Sequence, residues 1–429
     1  MGIGRLRSQS GALAVLAWLS GACSTQPEFD LIVRGGTVYD GTGEPAGVRR
    51  ADVGIKGDRI LAIGDLTTRS THDVIDATDK IVAPGFIDVA TRSGVSLLAD
   101  GAGESHLRQG ITSEILGENS AAFWTPPTAD AAALQRTGAS LDWSGLNGYF
   151  TKLESRGIAI NVGTLVPLSL ARAAGDRAAF IDTALRNGAF GVIDDVNADA
   201  SELTPAATVA GRHDAVVMVR VESPVASDDA ALAAVGSQAH RVVIGGLSRL
   251  PPGDAIVDVI RRIVRAGQQS VNVWGAVSPY APMPGAPDMV ARDALKYGST
   301  IVATETAAVS AASAPADTPP AAFGAFARLL GQLSRDDHLL DLREAIRRNT
   351  SAAASIFQVA QRGIIRETYY ADLVVFDPRT IADRATFEKP NQYPVGIDYV
   401  VVNGVVVVTP KGPTGARPGT RLMHRPPTR

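Results

Sequence analysis

Eight short apolar runs recur through the middle of the chain, separated by longer segments in which apolar residues recur at helical spacing. The runs are rich in β-branched residues, as buried strands are. They cover Phe86–Val89, Thr112–Leu116, Ala159–Val166, Phe190–Asp194, Ala215–Val219, Arg241–Ile244, Ser270–Trp274 and Thr300–Ala303. The candidate helices between them include Leu146–Arg156, Ala178–Asn187, Asp229–Ala239, Ala255–Ala266 and Asp288–Tyr297. This alternation predicts an α/β fold with a (β/α)8 TIM-like barrel, whose functional site lies at the carboxyl ends of the strands.

Both ends of the chain show a different pattern, in which apolar and polar residues alternate between turns rich in Gly, Asp and Asn. The Asn403-Gly404 pair between two valine-rich runs is a strong hairpin signal. Because the strands at each end lack local partners, we expect residues 29–84 and 365–418 to build one small β-sandwich domain. Residues 85–364 would form the inserted barrel domain with its C-terminal helices, and residues 419–429 a loose tail.

The composition is that of an ordinary globular protein, with 429 residues, 45% of them hydrophobic and 20% charged, and a net charge of −3. A chain of this length and composition can bury the cores of two domains. The sequence contains no long run of like charge, so we expect no nucleic-acid partner.

Residues 1–22 have the pattern of a secretory signal peptide, because Arg5 and Arg7 precede an apolar run that is too short to span a bilayer. The only cysteine, Cys23, follows directly, and the segment Leu19–Cys23 resembles a bacterial lipobox. An ordinary cleavage site before Cys23 would cut the same bond. A free thiol is unusual in an oxidising compartment, so we expect lipidation of Cys23. The protein would then cross the inner membrane of a bacterium and contact membrane only through its lipid anchor, at the periplasmic face of the outer membrane.

The segment Pro84–Val89, which reads P-G-F-I-D-V, resembles the first barrel strand of the amidohydrolase superfamily, in its D-aminoacylase (N-acyl-D-amino-acid deacylase) branch. Further similar segments are Leu98–Thr112, Asp142–Val162, Ala371–Pro378 and Ala385–Ile397. The resemblance implies a zinc enzyme that hydrolyses the non-peptide amide bond of N-acyl-D-amino acids. It also implies an extra domain late in the barrel, where this chain has only the short segment Val277–Pro287.

The resemblance further implies zinc ligands at the ends of several strands, and this chain lacks most of them. Ala90 and Arg92 stand in place of the two strand-one histidines, Met218 in place of the strand-five histidine and Gly246 in place of the strand-six histidine. A carboxylate remains at the strand-eight position as Glu305. Because a catalytic zinc needs about three nitrogen, oxygen or sulfur ligands, we expect no metal cofactor, although the family would use zinc.

The charged residues near the predicted barrel mouth are pocket candidates, namely Asp88, Arg92, Glu118, Arg220 and Glu222, with Glu305 as the candidate catalytic residue. We expect Arg92 to pair with Glu305 or Asp88, as a guanidinium in place of the metal. The alternative is that Arg92 faces solvent. An oxygen-ligated magnesium or calcium site is a second alternative for the acids. His106, inside a predicted helix, is interpreted as a surface or helix-packing residue.

Three functions remain open at this point. The first is a D-aminoacylase-like lipoprotein with a degenerate metal site, catalytically impaired or a pseudoenzyme, that keeps a pocket for an acyl-amino-acid or peptide fragment. The second is an active amide hydrolase that works without metal, with Glu305 as acid or base. The third is a structural or ligand-binding envelope lipoprotein. Whether the protein is an enzyme therefore depends on what replaced the metal ligands.

Overall fold

The computed structural model describes residues 27–117, 142–195, 198–220, 235–247, 271–281, 283–285 and 288–425, together with residues 1 and 233. The first strands are β1 (Phe29–Arg34), β2 (Thr37–Tyr39), β3 (Val48–Arg50), β4 (Asp52–Lys56), β5 (Arg59–Gly64), β6 (Thr71–Asp76) and β7 (Ile81–Pro84). A single 3-10 turn, Pro45–Gly47, connects β2 with β3. Short strands joined by tight turns are what the alternating pattern of this region predicts.

Parallel strands follow one another in the middle of the chain. They are β8 (Phe86–Thr91), β9 (Ile111–Leu116), β10 (Asn161–Thr164), β11 (Val166–Pro167), β12 (Gly191–Ile193), β13 (Val216–Arg220), β14 (Arg241–Gly245), β15 (Asn272–Val277) and β16 (Thr300–Val302). Hydrogen bonds join β8, β9 and β10 in one sheet and β11 to β16 in a second. Each of the eight predicted apolar runs overlaps a strand, and the third run is divided between β10 and β11.

The helices of the described chain are α1 (Gly94–Ala99), α2 (Glu104–Leu107), α3 (Gly145–Arg156), α4 (Leu168–Ala173), α5 (Arg177–Arg186), α6 (Ala200–Arg212), α7 (Met289–Leu295), α8 (Ala321–Arg328), α9 (Leu342–Arg347) and α10 (Ala353–Phe357), with π-helical segments at Leu329–Asp336 and Arg348–Ala352. The sequence pattern missed α6, which contains Pro205 but has an N-cap, Asp199, that accepts a hydrogen bond from the Ser201 N–H at 2.8 Å. The predicted helix at 255–266 lies outside the described residues. No helix in the described part of the chain has the length and hydropathy of a membrane span.

The two parallel sheets meet at β8 and β16 through contacts that do not form a regular ladder. The backbone N–H of Arg92 donates to the carbonyl oxygen of Thr306 at 2.8 Å. The carboxylate of Asp88 accepts a hydrogen bond from the backbone N–H of Thr304 at 3.2 Å. At this edge the Asp88 carboxylate thus accepts a backbone N–H that a strand carbonyl would accept in a regular ladder. Within the described ranges, the ladders form two adjoining sheets and not one closed barrel.

Alternate side chains of the parallel strands pack on opposite faces. Val217 and Val219 of β13 belong to a large hydrophobic cluster that also contains helix residues, whereas Val216 and Met218 belong to a separate cluster. We call this separate cluster the inner cluster. It consists of Ile87, Val89, Ala90, Ile115, Leu165, Phe190, Ile193, Val216, Met218, Val243, Ala276, Ile301, Ala303, Ala353, Ala354, Ile356, Phe357, Val359 and Leu422. The strands therefore bury apolar side chains on both faces, as parallel strands do.

Strands from both chain ends share one sheet. The C-terminal strands are β17 (Leu373–Phe376), β18 (Ile397–Val402), β19 (Val405–Thr409) and β20 (Gly412–Pro413). They form a sheet in the order β20-β19-β18-β17-β7-β2-β3, and β5-β4-β1-β6 form another. Side chains from both sheets, including Val33, Ile55, Val82 and Val375, pack in one hydrophobic cluster. The two ends of the chain thus complete each other's sheet.

A buried ion pair connects these terminal strands with the parallel strands. The guanidinium of Arg362 contacts the carboxylate of Asp372, and their side chains are only 4% and 3% exposed. Arg362 also donates to Asn403 Oδ1 at 2.8 Å, and Asn161 of β10 donates to Asp372 Oδ2 at 3.3 Å. Because Arg362, Asp372 and Asn161 are buried and bonded, the network fixes how the terminal sheets lie against β10.

The described part of the C-terminal tail is anchored, contrary to the predicted loose tail from residue 419. The Leu422 N–H donates to the Val162 carbonyl at 2.8 Å. His424 is 4% exposed, and its Nε2 lies 2.6 Å from Gln358 Oε1. The composition of the tail, rich in Gly, Pro and Arg, suggested disorder. Its backbone nevertheless finds partners on β10, and Leu422 joins the inner cluster.

Candidate functional site

A cavity of about 150 Å³ lies at the carboxyl ends of β8, β15 and β16. Its walls are Arg92, Ser278, Tyr280, Ala281, Thr304, Glu305, Thr306, Pro319, Pro320, Ala321 and Phe387. Arg92 and Ser278 directly follow β8 and β15, and Thr304 lies two residues after β16. This is the end of the strands at which barrel proteins place their functional sites. Two residues named from the sequence, Arg92 and Glu305, line this same cavity.

Glu305 has an unusual backbone conformation, with a φ of 54°. The left-handed region costs a residue with a side chain roughly 1–2 kcal/mol. Hydrogen bonds on both sides hold it, because Asp88 accepts from the Thr304 N–H and the Thr306 N–H donates to Thr304 Oγ1 at 3.3 Å. Seven other non-glycine residues of the described chain also have a positive φ, so it is the position of Glu305 at the cavity wall that makes it a candidate.

At the positions that the family resemblance predicts as zinc ligands, the side chains pack rather than coordinate. Ala90 and Met218 are each 1% exposed and belong to the inner cluster. Cβ atoms built on Gly117 and Gly245 would lie 3.6 and 3.8 Å from Met218 Sδ, so the thioether fills the space between them. Gly246, with a φ of 75°, has no side chain to offer.

These residues do not fit a zinc ion. A methyl group, a cation, a thioether and a glycine occupy the four ligand positions, whereas zinc needs thiolate, imidazole or carboxylate ligands. Among the described residues, no group of three or more His, Cys, Asp or Glu side chains is arranged to hold a metal.

Asp88 does not line the cavity. It pairs in register with Glu114 of β9, which in turn pairs with Val162 of β10. Val162 belongs to the cluster shared with the helices, so Asp88 and Glu114 face the helix layer. The expected pairing of Arg92 with Asp88 or Glu305 stays a prediction, with Glu305 as the partner that lines the same cavity.

The other sequence candidates lie elsewhere. Arg220 ends β13, where it pairs in register with Gly245, and it is not a wall residue of the cavity. Glu118, Glu222 and Cys23 lie outside the described residues, and so does the predicted signal peptide, 1–22.

His106, which we interpreted as a surface or helix-packing residue, is fully buried in a polar network. Its Nδ1 lies 2.8 Å from Glu114 Oε1 and its Nε2 lies 3.3 Å from Thr306 Oγ1. Neither Glu114 nor Thr306 was among the sequence candidates. One signal was available, since Glu114 is a lone acid inside the apolar run Ile111–Leu116, and a buried acid needs a partner.

The titration of this network follows from its burial. Burial raises the pKa of Asp88 to about 6, although the charge of His106 and the Thr304 hydrogen bond act in the opposite direction. Burial alone would lower the pKa of His106, but the carboxylates of Glu114 and Asp88 raise it above its ordinary value. The charged form of His106 is therefore favoured by the two acids that surround it.

Tyr280 forms a rigid part of the cavity wall. Its hydroxyl donates to Asp383 Oδ2 at 2.7 Å, and the Arg328 guanidinium lies 4.8 Å from its ring centroid. Burial, together with Asp383, raises the pKa of Tyr280 well above its ordinary value. The phenol therefore stays protonated and cannot serve as a base at neutral pH.

The chain is similar to known deacylases over nearly its whole length. Residues 305–408 match the amidohydrolase family. The chain is 30% identical over 480 residues to the N-acyl-D-glutamate deacylase of Alcaligenes xylosoxydans xylosoxydans, which covers 93% of this chain and 97% of that protein. It is 29% identical over 489 residues to the D-aminoacylase of the same organism, covering 94% and 98%.

Solved structures give the same relationship. The N-acyl-D-glutamate deacylase of Bordetella bronchiseptica, complexed with zinc and a phosphonate inhibitor, matches with a TM-score of 0.78 at 26% identity, over 92% of this chain and 100% of that one. A D-aminoacylase crystal structure gives the same TM-score, identity and coverage. A D-hydantoinase of Bacillus sp. AR9, with a TM-score of 0.67 at 19% identity over 93% of this chain and 100% of that one, shares the fold. The resemblance seen in the sequence is confirmed, and this chain belongs to the amidohydrolase family, in its D-aminoacylase branch.

Proposed function

We propose that this protein binds an N-acyl-amino acid or a similar small carboxylate in the cavity, and that it has lost the zinc-dependent deacylation of its family. The proposal rests on one observation. The fold of the family is retained, but none of the residues at the four predicted histidine positions can bind zinc. Ala90 and Met218 turn part of the metal site into packed hydrophobic core, and Arg92 adds a permanent positive charge at the cavity.

Arg92 supports the class of ligand. A guanidinium binds a carboxylate through two parallel hydrogen bonds. Ser278 and Thr304 add hydroxyl groups to the same cavity, and Pro319 and Phe387 add apolar surface. A ligand with a carboxylate, an amide and a short acyl chain would match the guanidinium, the hydroxyl groups and the apolar surface of this cavity, respectively. The acylated D-amino acids in the names of the relatives are the first ligands to test.

Thermal unfolding of the chelator-treated protein tests the binding. N-acetyl-D-alanine should raise Tm, because a ligand at 100 times its Kd stabilises the folded state by about 2.7 kcal/mol. N-acetyl-D-alaninamide, which lacks the carboxylate, should raise it less. Arg92→Met should abolish the difference between the two compounds, while Arg49→Met, an exposed arginine on β3, should preserve it.

Two results would contradict the proposal. One is an equal response to the acid and the amide in the wild type. The other is about one zinc per chain by elemental analysis, together with chelator-sensitive deacylation of N-acetyl-D-amino acids. The second result would restore the reaction of the relatives.

The strained backbone of Glu305 favours a second candidate function, a metal-independent amide hydrolase in which Glu305 is the general acid or base. Such catalysis typically contributes about 10²–10⁴-fold. Glu305→Gln should then abolish chelator-resistant turnover of N-acetyl-D-alanine and leave its binding intact. Absence of any turnover in the wild-type protein with chelator present would exclude this candidate.

We also propose the finer organisation of the chain. The parallel strands would form a (β/α)8 barrel of residues 85–364, and residues 29–84 and 365–418 one β-sandwich domain. The sheet shared by β7 and β17 supports this division. Limited proteolysis that releases residues 29–84 alone as a stable fragment would contradict it.

For the envelope location we propose a signal peptide at 1–22 and lipidation of Cys23. The support is the sequence pattern, since a charged start, an apolar run and a single cysteine coincide there.

A further inference from the structure

A line of buried polar groups leads from the helix layer to the cavity. It begins at Glu114 on β9, passes through His106 on α2 and ends at Thr306, which follows β16. The two contacts measure 2.8 Å from Glu114 Oε1 to His106 Nδ1 and 3.3 Å from His106 Nε2 to Thr306 Oγ1. Glu114 and His106 are 0% exposed and Thr306 is 5% exposed. Thr306 is at the same time a wall residue of the cavity.

Carboxylate, imidazole and hydroxyl in this order are the groups that activate a hydroxyl nucleophile in metal-free acyl transfer. The contact of 3.3 Å is slightly long for such a pair, and these contacts are often longer before substrate binds. We propose that Thr306, His106 and Glu114 form a metal-independent acyl-transfer site that opens into the cavity. Thr306 is the nucleophile, His106 the base that accepts its proton, and Glu114 the group that positions the imidazole.

The geometry differs from that of an ion pair that only stabilises the fold. An ion pair needs one ring nitrogen, whereas here the second nitrogen faces a hydroxyl. That hydroxyl belongs to a residue of the cavity wall. Its position is also fixed from both sides, since the Arg92 N–H donates to the Thr306 carbonyl and the Thr306 N–H donates to Thr304 Oγ1.

The surroundings of the imidazole favour this role. Above the raised pKa of His106, the neutral ring donates its Nδ1 proton to Glu114 and accepts the Thr306 hydroxyl proton at Nε2. When His106 takes up that proton it becomes an imidazolium, which the carboxylates of Glu114 and Asp88 stabilise. Asp88 itself is held in place by the backbone N–H of Thr304.

The reaction balances with water as the only co-reactant. The Thr306 hydroxyl proton passes to His106 Nε2 while Oγ forms a bond to the acyl carbonyl carbon. The tetrahedral intermediate expels the leaving alcohol or amine, which takes the proton from Nε2. Water then attacks the acyl-threonine ester, gives one proton to Nε2, and releases the carboxylic acid as the ester C–O bond breaks. The proton returns from Nε2 to Thr306 Oγ.

The charge of Arg92 indicates which acyl donors this site would accept. Its positive charge borders the same cavity, so it can hold a carboxylate of the donor or stabilise the oxyanion. That the natural donor is an N-acyl-amino acid rests on the proposed function. The acyl-transfer site itself requires only an ester or amide of a small carboxylic acid.

Acetylation by 4-nitrophenyl acetate in the presence of EDTA tests the proposal. The full-length protein should release a burst of about one 4-nitrophenolate per chain, and mass spectrometry of the acid-quenched protein should find an acetyl group on Thr306. Thr306→Ala should lose this adduct, and Thr306→Ser should retain it. His106→Asn and Glu114→Gln should slow its formation by on the order of 10²–10⁴-fold.

Two matched controls account for effects of destabilisation. His424→Asn changes a buried histidine that contacts Gln358, and Thr350→Val changes a buried threonine whose hydroxyl donates to the Ile346 carbonyl. Both should acetylate Thr306 at the wild-type rate. A wild-type protein without an adduct on Thr306, or an adduct that forms equally fast in His106→Asn, would overturn the proposal. If Glu114→Gln fails to fold, the Thr306→Ala and Thr306→Ser pair still decides.

The outcome is separable from that of the proposed function. A protein that binds N-acetyl-D-alanine but gives no acetyl-Thr306 refutes the acyl-transfer site and leaves the binding proposal standing. A protein that forms acetyl-Thr306 but does not distinguish the acid from its amide refutes the carboxylate ligand and leaves the acyl-transfer site standing.

Discussion

Met218 and His106 are both buried beside the parallel strands, on opposite faces. Met218 packs in the inner cluster, where a thioether behaves as an adaptable apolar side chain. His106 lies in the helix layer between a carboxylate and a hydroxyl. The family resemblance predicts a histidine at position 218, on one face, whereas a histidine with two polar partners is present on the other. The proposed acyl-transfer groups therefore lie between the strands and α2, beside the cavity.

Truncation of Met218 tests whether its side chain is part of the hydrophobic core. Met218→Ala should lower the free energy of unfolding by about 2–5 kcal/mol, because it removes buried atoms and leaves a cavity. Urea unfolding gives the value. Met283→Ala, at a methionine that is 60% exposed, should leave stability nearly unchanged. Equal small effects at both positions would mean that Met218 does not pack as described.

Replacement of Asp88 should change the pH dependence of stability. Its pKa is raised from 3.8 to about 6 in the folded state, so the folded protein retains a proton that the unfolded chain releases. Stability from this group is therefore full below pH 3.8 and is lost as the pH rises to about 6, by up to about 3 kcal/mol. Asp88→Asn should remove this loss in urea titrations between pH 4 and 7.

A control with the opposite sign is available. Hydrogen bonds from the Gly57 backbone and from Lys56 lower the pKa of Asp30, so Asp30→Asn should cost stability above pH 4 rather than restore it. Parallel pH profiles of the wild type and Asp88→Asn would show that Asp88 is not buried in the way described.

A buried polar network holds the terminal strand β17 against the parallel strand β10. The Arg362–Asp372 pair lies where β17 begins and reaches Asn161 on β10. Removing one partner of a buried ion pair leaves an uncompensated charge, which costs more than the pair contributes in total. The junction between the terminal sheets and the parallel strands is therefore sensitive to single substitutions.

Arg362→Met should lower the free energy of unfolding by about 3–5 kcal/mol. Urea unfolding followed by circular dichroism provides the measurement. Lys56→Met, which breaks an ion pair whose side chains are 40% and 42% exposed, should cost less than about 1 kcal/mol. Comparable losses for the two variants would contradict the assignment of the buried network.

The sequence predicted the strands better than the site, for a physical reason. Apolar runs such as Phe86–Val89 identify a buried strand by local composition alone, and the residue after each strand, such as Arg92, then lies at the carboxyl end. His106 and Glu114 are only eight residues apart, whereas Thr306 is 200 residues further along the chain, and only the tertiary fold brings its hydroxyl to His106. The lone Glu114 inside an apolar run indicates that a buried partner exists, but no local pattern identifies Thr306 as part of the same contact.

At the scale of the whole molecule, the described chain is a folded unit with its cavity at one end of the parallel strands and its anchored tail near the start of β12. His424 packs against Phe190 there, with ring centroids 5.9 Å apart. The proposed lipid on Cys23 would be joined to β1 only through residues 24–28. An anchor attached so close to the terminal sheets would hold the protein near the membrane surface.

Cys23→Ser should move the protein from the membrane fraction to the soluble fraction of the cell envelope, because the thiol is the only possible site of lipid attachment by a thioether. Cell fractionation and metabolic labelling with a fatty acid give the readout. A wild-type protein that is already soluble and unlabelled would refute the anchor.

The pairing of β7 with β17 also determines when the protein can fold. During synthesis β7 leaves the ribosome first, and its partner follows only after residues 85–364 have been made. At about 5–20 residues per second this interval is on the order of 15–60 s. Until then β7 presents an unpaired edge that is prone to aggregation, and a chain held unfolded by a chaperone avoids that risk. Ribosome-bound chains that stop before residue 372 should therefore leave the first seven strands open to protease, and protection of those strands would contradict this order of folding.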